Sequence, residues 1–202
     1  MNAASIGTIE IETAAVQAFF DRLAPAWDSG RITREDILRE IMGLADITPG
    51  CRVLDVACGT GVLFPYYLER GAAAVTGIDL SPEMVRLAQK KYQDPRLIIL
   101  AGDVEEAELG VFDRIVILNA LPHFPDPARL LACLGEHLAP GGRLTVAHDR
   151  CRDSINGHHE RRASAVSLGL PPAEETAELF PLSLNVDTVI DSQRCYVVSG
   201  TV

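Results

Sequence analysis

The sequence predicts an α/β fold: a doubly wound, mostly parallel sheet of seven strands, closed by an antiparallel hairpin and preceded by a helical cap. Three observations predict it. Short apolar runs alternate with helical patterns through residue 150, which calls for parallel strands with helices on both faces. Several of those runs end at an acid, as expected where strand ends border a ligand crevice. The last two runs, 185–190 and 194–199, are joined only by Asp191-Ser192-Gln193, which suits an antiparallel hairpin.

In chain order, residues 1–9 are expected to be a loose start. Ile11, Ala15, Ala18, Phe19 and Leu23 recur at helical spacing, and Ala24-Pro25-Ala26-Trp27-Asp28 breaks that helix. A second helix is expected over 33–45, with Thr33 as N-cap and Ile37, Leu38, Ile41 and Leu44 on one face. Residues 1–47 therefore read as a cap, 50–150 as the core, and 151–202 as closing helices and hairpin, all of one domain.

Thr48-Pro49-Gly50 turns the chain into the first strand, 52–57, and a helix over 62–70 ends at Gly71. The second strand, 73–78, runs into Asp79. Ser81 can cap the next helix, Pro82 suits its first position and Glu83 favours its dipole. Strands over 96–101 and 111–118 follow, then a helix over 126–138. Pro140-Gly141-Gly142 reads as a turn into the fifth strand, 143–147. A polar helix near 153–168 and a short one opening at Pro171-Pro172 and ending about Phe180 lead to the hairpin.

The net charge of -10 argues against a nucleic-acid substrate, since an acidic surface repels phosphate backbones. The densest basic patch, Arg150, Arg152, Arg161 and Arg162, is too thin to reverse that. Cys51, Cys58, Cys133, Cys151 and Cys195 are odd in number and form no C-x-x-C pair, so neither a disulfide framework nor a zinc site is supported. The first residues lack the pattern of a signal peptide, and no apolar run is long enough to insert in a membrane. A cytoplasmic protein with reduced thiols is expected.

The chemistry gathers at the strand ends. Asp55-Val56-Ala57-Cys58-Gly59-Thr60-Gly61 follows the first strand, Asp79 the second, Asp103 the third, Asn119 the fourth and His148-Asp149 the fifth. An acid after the second strand can accept hydrogen bonds from ribose hydroxyls, and glycines let backbone approach a ligand closely. In this order and spacing the residues resemble the class I S-adenosylmethionine-dependent methyltransferases, small-molecule type, similar to the ubiquinone and menaquinone methyltransferase group. The glycine stretch is similar to their D/E-x-G-x-G-x-G motif, with Ala57 in place of the first glycine. Gly77-Ile78-Asp79-Leu80-Ser81-Pro82-Glu83-Met84, Ala101-Gly102-Asp103-Val104, the stretch from Phe112-Asp113 to His123, and Leu138-Ala139-Pro140-Gly141-Gly142-Arg143-Leu144 resemble its later motifs. A nicotinamide enzyme would need a third glycine at position 64, which is Phe64, and a Tyr-x-x-x-Lys, which is missing.

The resemblance implies a Rossmann-like fold and S-adenosylmethionine as cofactor, with S-adenosylhomocysteine as product. It implies contacts from Asp55, Ala57, Cys58, Gly59, Thr60 and Gly61, from Asp79, Leu80 and Met84, and from Asp103, Val104, Asn119 and Ala120. For Asp55 a second role is open, orienting the loop through backbone amides. Trp27 would close over the cofactor as a lid, or would fill core. The implied reaction is methyl transfer to a small-molecule acceptor by in-line displacement, with His123, His148 and His159 as candidate catalytic or substrate-contacting residues. His123 has a competing reading as a loop histidine at the following helix start, and His158 as part of a solvated helix face. The spacing of these histidines with Cys151 fits no recognised metal site. Leu121, Phe124 and Phe180 hint at a partly apolar acceptor. A non-catalytic binder of the same cofactor is the alternative function.

Overall fold

The computed structural model describes residues 11–29 and 32–202, so the reading of residues 1–9 lies outside the described part. Seven strands form one sheet: β1 (Arg52–Val56), β2 (Ala74–Asp79), β3 (Leu97–Ala101), β4 (Phe112–Leu118), β5 (Leu138–His148), β6 (Asn185–Asp191) and β7 (Tyr196–Thr201). Their order is β3-β2-β1-β4-β5-β7-β6. The first five are parallel, and β7 runs antiparallel between β5 and β6. Chain order reverses on either side of β1, so the crevice between β1 and β4 is the topological switch point at which such sheets bind ligands.

Among the described residues seven α-helices surround the sheet: α1 (Thr13–Leu23), α2 (Glu35–Leu44), α3 (Phe64–Glu69), α4 (Pro82–Lys91), α5 (Pro127–Glu136), α6 (Arg152–Arg162) and α7 (Ala173–Glu178). Strand alternation divides the core into two layers. Leu54 and Val56 of β1 pack with Leu130, Leu131 and Leu134 of α5 and with Ala173 of α7. Val53, pointing the other way, packs with Ile37, Leu38, Ile41 and Met42 of α2 and Phe64 and Tyr67 of α3. Both faces of the central strands are covered, which is why their sequences are continuous apolar runs.

Several boundaries differ from the sequence reading, three of them with structural consequences. The fifth strand starts at Leu138, and Pro140-Gly141-Gly142 lies within it as a bulge. Pairing with β4 jumps from Phe112↔Leu138 to Arg114↔Arg143, and Gly141 takes φ +72°. The expected turn is therefore real backbone curvature with pairing kept on both sides of it. Thr33 is no cap: α2 starts at Glu35, where the first-turn acids Glu35 and Asp36 suit the helix dipole. Arg34 instead ties that end to the sheet by donating to the carbonyls of Asp149 and Arg194. The polar helix α6 stops at Arg162, six residues early, because Leu168 leaves to donate its N–H to the Pro122 carbonyl at 2.7 Å.

The α4 start is built as expected. Ser81 Oγ accepts from the N–H of Met84 at 3.1 Å, Pro82 occupies the first turn and Glu83 follows it.

Phe64 explains why the glycine stretch has the shape it has. A Cβ on Gly61, whose φ is +83°, would lie 2.5 Å from the Phe64 ring, and one on Gly77 would also lie 2.5 Å from it. The ring, fully buried, fills the space those two glycines leave and meets Tyr92 edge-on at 5.5 Å. Gly61→Ala should therefore cost about 2–4 kcal/mol, combining left-handed backbone strain with overpacking. Urea denaturation measures this, and adding Phe64→Leu should recover part of the loss. A loss below about 0.5 kcal/mol would mean that the ring yields freely.

Candidate functional site

At the end of β1 the chain leaves the sheet in a left-handed turn. Ala57 has φ +54° and Gly59 φ +55°. The departure from glycine at position 57 therefore sits where an L side chain is disfavoured by about 1 kcal/mol. The Cys58 N–H donates to the Ile78 carbonyl at 3.1 Å, and Gly61 N–H to the Cys58 carbonyl at 2.9 Å. Asp79, closing β2, pins the loop: Oδ2 accepts from Gly59 N–H at 2.7 Å and Oδ1 from Ser81 N–H at 2.9 Å. Burial pushes the Asp79 carboxyl above the usual range, and those two N–H bonds oppose the shift.

These strand ends open on a cavity of about 1050 Å³. Ala57, Cys58, Gly59, Thr60, Asp79, Leu80 and Met84 line one end, beside Asp103, Val104, Asn119 and Ala120. Asp103 Oδ1 accepts from the Glu105 N–H, and its carboxylate remains at the wall. Asn119, at φ +57°, uses Oδ1 to accept from the Asp149 N–H at 3.0 Å, which joins the ends of β4 and β5. Burial raises the Cys58 thiol well above its ordinary value, so it is a packing group and no nucleophile.

Helix α1 and the turn after it form the roof. Phe20 stands edge-on to Trp27 at 5.7 Å and to His123 at 4.9 Å. Trp27 Nε1 lies 3.9 Å from where a Gly59 Cβ would be, so the indole covers the glycine turn. The roof is latched: Thr60 Oγ1 donates to Asp28 at 2.8 Å, Lys91 Nζ pairs with Asp28 at 2.9 Å, and Ser81 Oγ donates to Asp21. No pattern in the sequence signals these long-range ties.

At the other end His123 and His159 lie side by side, centroids 4.9 Å apart. His123 Nδ1 donates to the Val166 carbonyl at 2.8 Å, because a carbonyl can only accept; its Nε2 then carries a lone pair. Burial lowers the His123 pKa, opposed by that bond, and pushes His159 down to about 4 with help from His123 and His158. His159 Nδ1 is engaged by Ser167 Oγ at 2.6 Å. Both imidazoles are neutral at neutral pH and can accept a proton.

Three residues singled out from the sequence lie off the cavity wall. Asp55 is inside β1, paired with Gly77 and Val116 and 2% exposed. Burial raises its carboxyl well above the usual range; the buried Tyr67 hydroxyl offsets this from a geometry short of a proper hydrogen bond. Gly61 answers to Phe64, as above. His148 follows Leu144 and Val146 on the sheet face that packs into the core, where it meets Tyr196 edge-on at 5.7 Å. Both its ring nitrogens are buried without partners. Of the apolar residues taken as hints of the acceptor, Phe124 lines the cavity, while Leu121 and Phe180 belong to the core. The wall also includes Arg22 and three members of the basic patch, Arg150, Arg161 and Arg162.

A glycine turn, an acid on the next strand and a cavity at the switch point define an α/β nucleotide-cofactor domain. Comparison narrows this. Residues 53–142 match the family model described as a methyltransferase domain. The ubiquinone biosynthesis O-methyltransferase of Xanthomonas campestris pv. campestris (strain B100) is 33% identical over 138 residues, covering 66% of this chain. The match covers 53% of that relative, so the chain spans about half the length of the curated relatives it matches. The N-methyltransferase NodS of Bradyrhizobium japonicum WM9, solved with S-adenosyl-L-homocysteine, shares the fold at TM-score 0.67 and 17% identity, over 94% of this chain and 97% of that one. So does the [4+2]-cyclase SpnF, at TM-score 0.70 and 19% identity, over 90% of this chain and 75% of that one. Residues 53–142 are thus a methyltransferase domain, similar to those of the class I S-adenosylmethionine-dependent methyltransferases. Among the described residues no helix is long and apolar enough to cross a membrane, and all five cysteines are free.

His148 gives the fold an acid weakness. Burial, then the neighbouring His159 and His123, push its pKa down to about 3, whereas an unfolded histidine titrates near 6.5. Between those values the unfolded chain binds a proton that the folded chain refuses, so stability falls as pH drops below about 6.5. His148→Phe should remove this term. Between pH 7 and pH 5 the variant is expected to lose about 2 kcal/mol less stability than the wild type in denaturant titrations. Equal losses would exclude His148 as the cause.

Proposed function

We propose that this chain binds S-adenosylmethionine at the Ala57, Gly59, Asp79 and Asp103 end of the cavity. It transfers the methyl group to a small-molecule acceptor held near His123 and His159. The single observation that carries this reading is the division of one cavity into an acid-and-glycine end and a neutral-histidine end under a common roof. The cofactor fits the donor set: each Asp79 oxygen accepts one backbone N–H and keeps a lone pair for a ribose hydroxyl, and the wall carries a second acid for the adenine. A cavity of about 1050 Å³ is at the upper end for one small ligand and has room for two.

When bound, the cofactor supplies an electrophilic methyl group, and its sulfur keeps the electron pair of the broken bond. The chain supplies alignment and exclusion of water, through the roof residues Phe20 and Trp27. The O-methyltransferases of ubiquinone biosynthesis named above methylate oxygen, and a hydroxyl acceptor would give Nε2 of His123 a proton to take. His148 is withdrawn from the acceptor contacts, because it lies behind the wall. Localisation in the cytoplasm and the organisation of residues 1–202 as one domain are part of the same proposal; the five free thiols support the first.

Calorimetric titration with S-adenosylhomocysteine tests the cofactor half. Asp79→Asn is expected to weaken binding by at least about tenfold, the value of a hydrogen bond to a charged group. Saturation should change Trp27 fluorescence; an unchanged spectrum would assign Trp27 to packing. A screen of radiolabelled methyl transfer tests the chemical half. His123→Ala should lower kcat by about 100-fold or more while leaving the affinity for S-adenosylhomocysteine unchanged. With His123 lowered by burial, the acid limb of kcat/KM should fall below pH 6.5. Tight cofactor binding with no transfer to any hydroxyl-bearing acceptor would favour the non-catalytic binder, an outcome the cyclase on this fold makes worth testing.

A further inference from the structure

The chain carries 28 acidic and 18 basic side chains, so its cations should be consumed by its anions. Most are. Arg39, Arg52, Arg86, Arg96, Arg114, Arg129, Arg143, Arg152 and Arg194 each hold a carboxylate within ion-pair distance. Arg34 and Arg70 donate to main-chain carbonyls. Among the described residues, the arginines left without an acid or a carbonyl are Arg22, Arg150, Arg161 and Arg162. All four line the one cavity described above. Arg22 sits over the Phe19 ring at 5.5 Å, on the roof. The other three gather after β5 and at the end of α6, at the end of the cavity away from Asp79.

We propose that Arg150, Arg161 and Arg162 form a subsite for an anionic group, a carboxylate or a phosphate, borne by the acceptor molecule. The proposal rests on the methyl-transfer reading for the word acceptor, and on the arginines alone for the anion. The arginines surround His158, which lines the same wall: after burial, Arg162, Arg161 and Arg150 are what lowers its pKa. Such crowding of like charge is unfavourable in the free protein and is relieved when an anion enters. The helix dipole accounts for Arg161 and Arg162 in the last turn of α6, but Arg150 precedes that helix. The acid on this side of the wall is Asp149, and it holds none of the three. A guanidinium presents a planar fork that matches either oxyanion.

Apolar side chains share the wall with them, among them Val16, Phe19, Phe124 and Ile155. The occupant therefore has an apolar body and an anionic head. A nucleic acid or an anionic lipid surface is disfavoured by the net charge of -10 and by the placement of the arginines around a cavity.

Octanoate, octyl phosphate and octanol, titrated into the full chain loaded with S-adenosylhomocysteine, give the test. At least one anion is expected to bind about tenfold more tightly than octanol, with the preference shrinking as salt is added. Which of the two binds better separates a carboxylate from a phosphate. The triple variant Arg150→Gln, Arg161→Gln, Arg162→Gln should lose the preference while its affinity for S-adenosylhomocysteine and its denaturation midpoint stay unchanged. Equal binding of octanol and both anions, or a preference that survives the triple variant, would overturn the proposal. Binding to anionic phospholipid vesicles that the triple variant abolishes, without any preference among the soluble probes, would also overturn it. If S-adenosylhomocysteine does not bind at all, the cofactor reading fails. The anion preference is then measured on the ligand-free chain and stands or falls separately.

Discussion

Two backbone amides and one carboxylate hold this structure's working end together. Asp79 reaches from the end of β2 to the N–H of Gly59 with one oxygen and to the N–H of Ser81 with the other. Ser81 in turn caps α4 and donates to Asp21 of α1. The glycine turn, the helix after the second strand and the roof are thus all fixed to three consecutive residues, 79–81. Leaving one of those buried amides unpaired costs about 1–3 kcal/mol, comparable to the whole margin that keeps a loop ordered. Burial alone would favour a protonated Asp79, and the two donors work against that. The same bonds that shape the loop therefore also favour the charge that a ribose would meet.

Around that anchor, the glycines divide by the neighbour each accommodates. Gly61 and Gly77 make room for the Phe64 ring, which is protein packing. Gly59 faces Trp27 Nε1 and the cavity, which is ligand approach. Ala57 shows that left-handed backbone can be held without glycine when strand pairing and the Cys58–Ile78 bond fix both sides of it. A motif written as a row of glycines hides these different causes.

Most of the fold was legible because it is set by periodicity and by punctuation: apolar runs buried on both faces, Ser81-Pro82-Glu83, Gly71, and a short hairpin link. What escaped depends on direction or on distance. His148 ends a strand at the ligand edge, as the sequence suggests, but alternation along β5 turns its ring into the core. Asp55 is turned away from the cavity by the same rule. Pro140-Gly141-Gly142 carries every sign of a turn, and only its pairing partners make it a bulge. The latch of Asp28 on Thr60 and Lys91 spans over thirty residues and leaves no local trace. The arginines of the cavity were visible as a patch, but nothing in the sequence shows that Arg152 leaves it to pair with Asp191 while its neighbours do not.

The fold by itself does not select the chemistry, since a [4+2]-cyclase shares it as closely as an N-methyltransferase does. Selection lies in the contents of the cavity. Asp79 and Asp103 stand with the glycine turn at one end, and the arginines stand with two neutral imidazoles at the other. For a cationic cofactor this arrangement fixes which end it enters, because the arginine end repels it. An anionic acceptor is sorted the opposite way by the same field. Under the proposed methyl transfer, the cofactor's methyl group and its target would meet beside the histidines. Orientation of two reactants is a large part of what catalyses an in-line displacement, and under the proposed reading a charge gradient along one cavity would contribute to it.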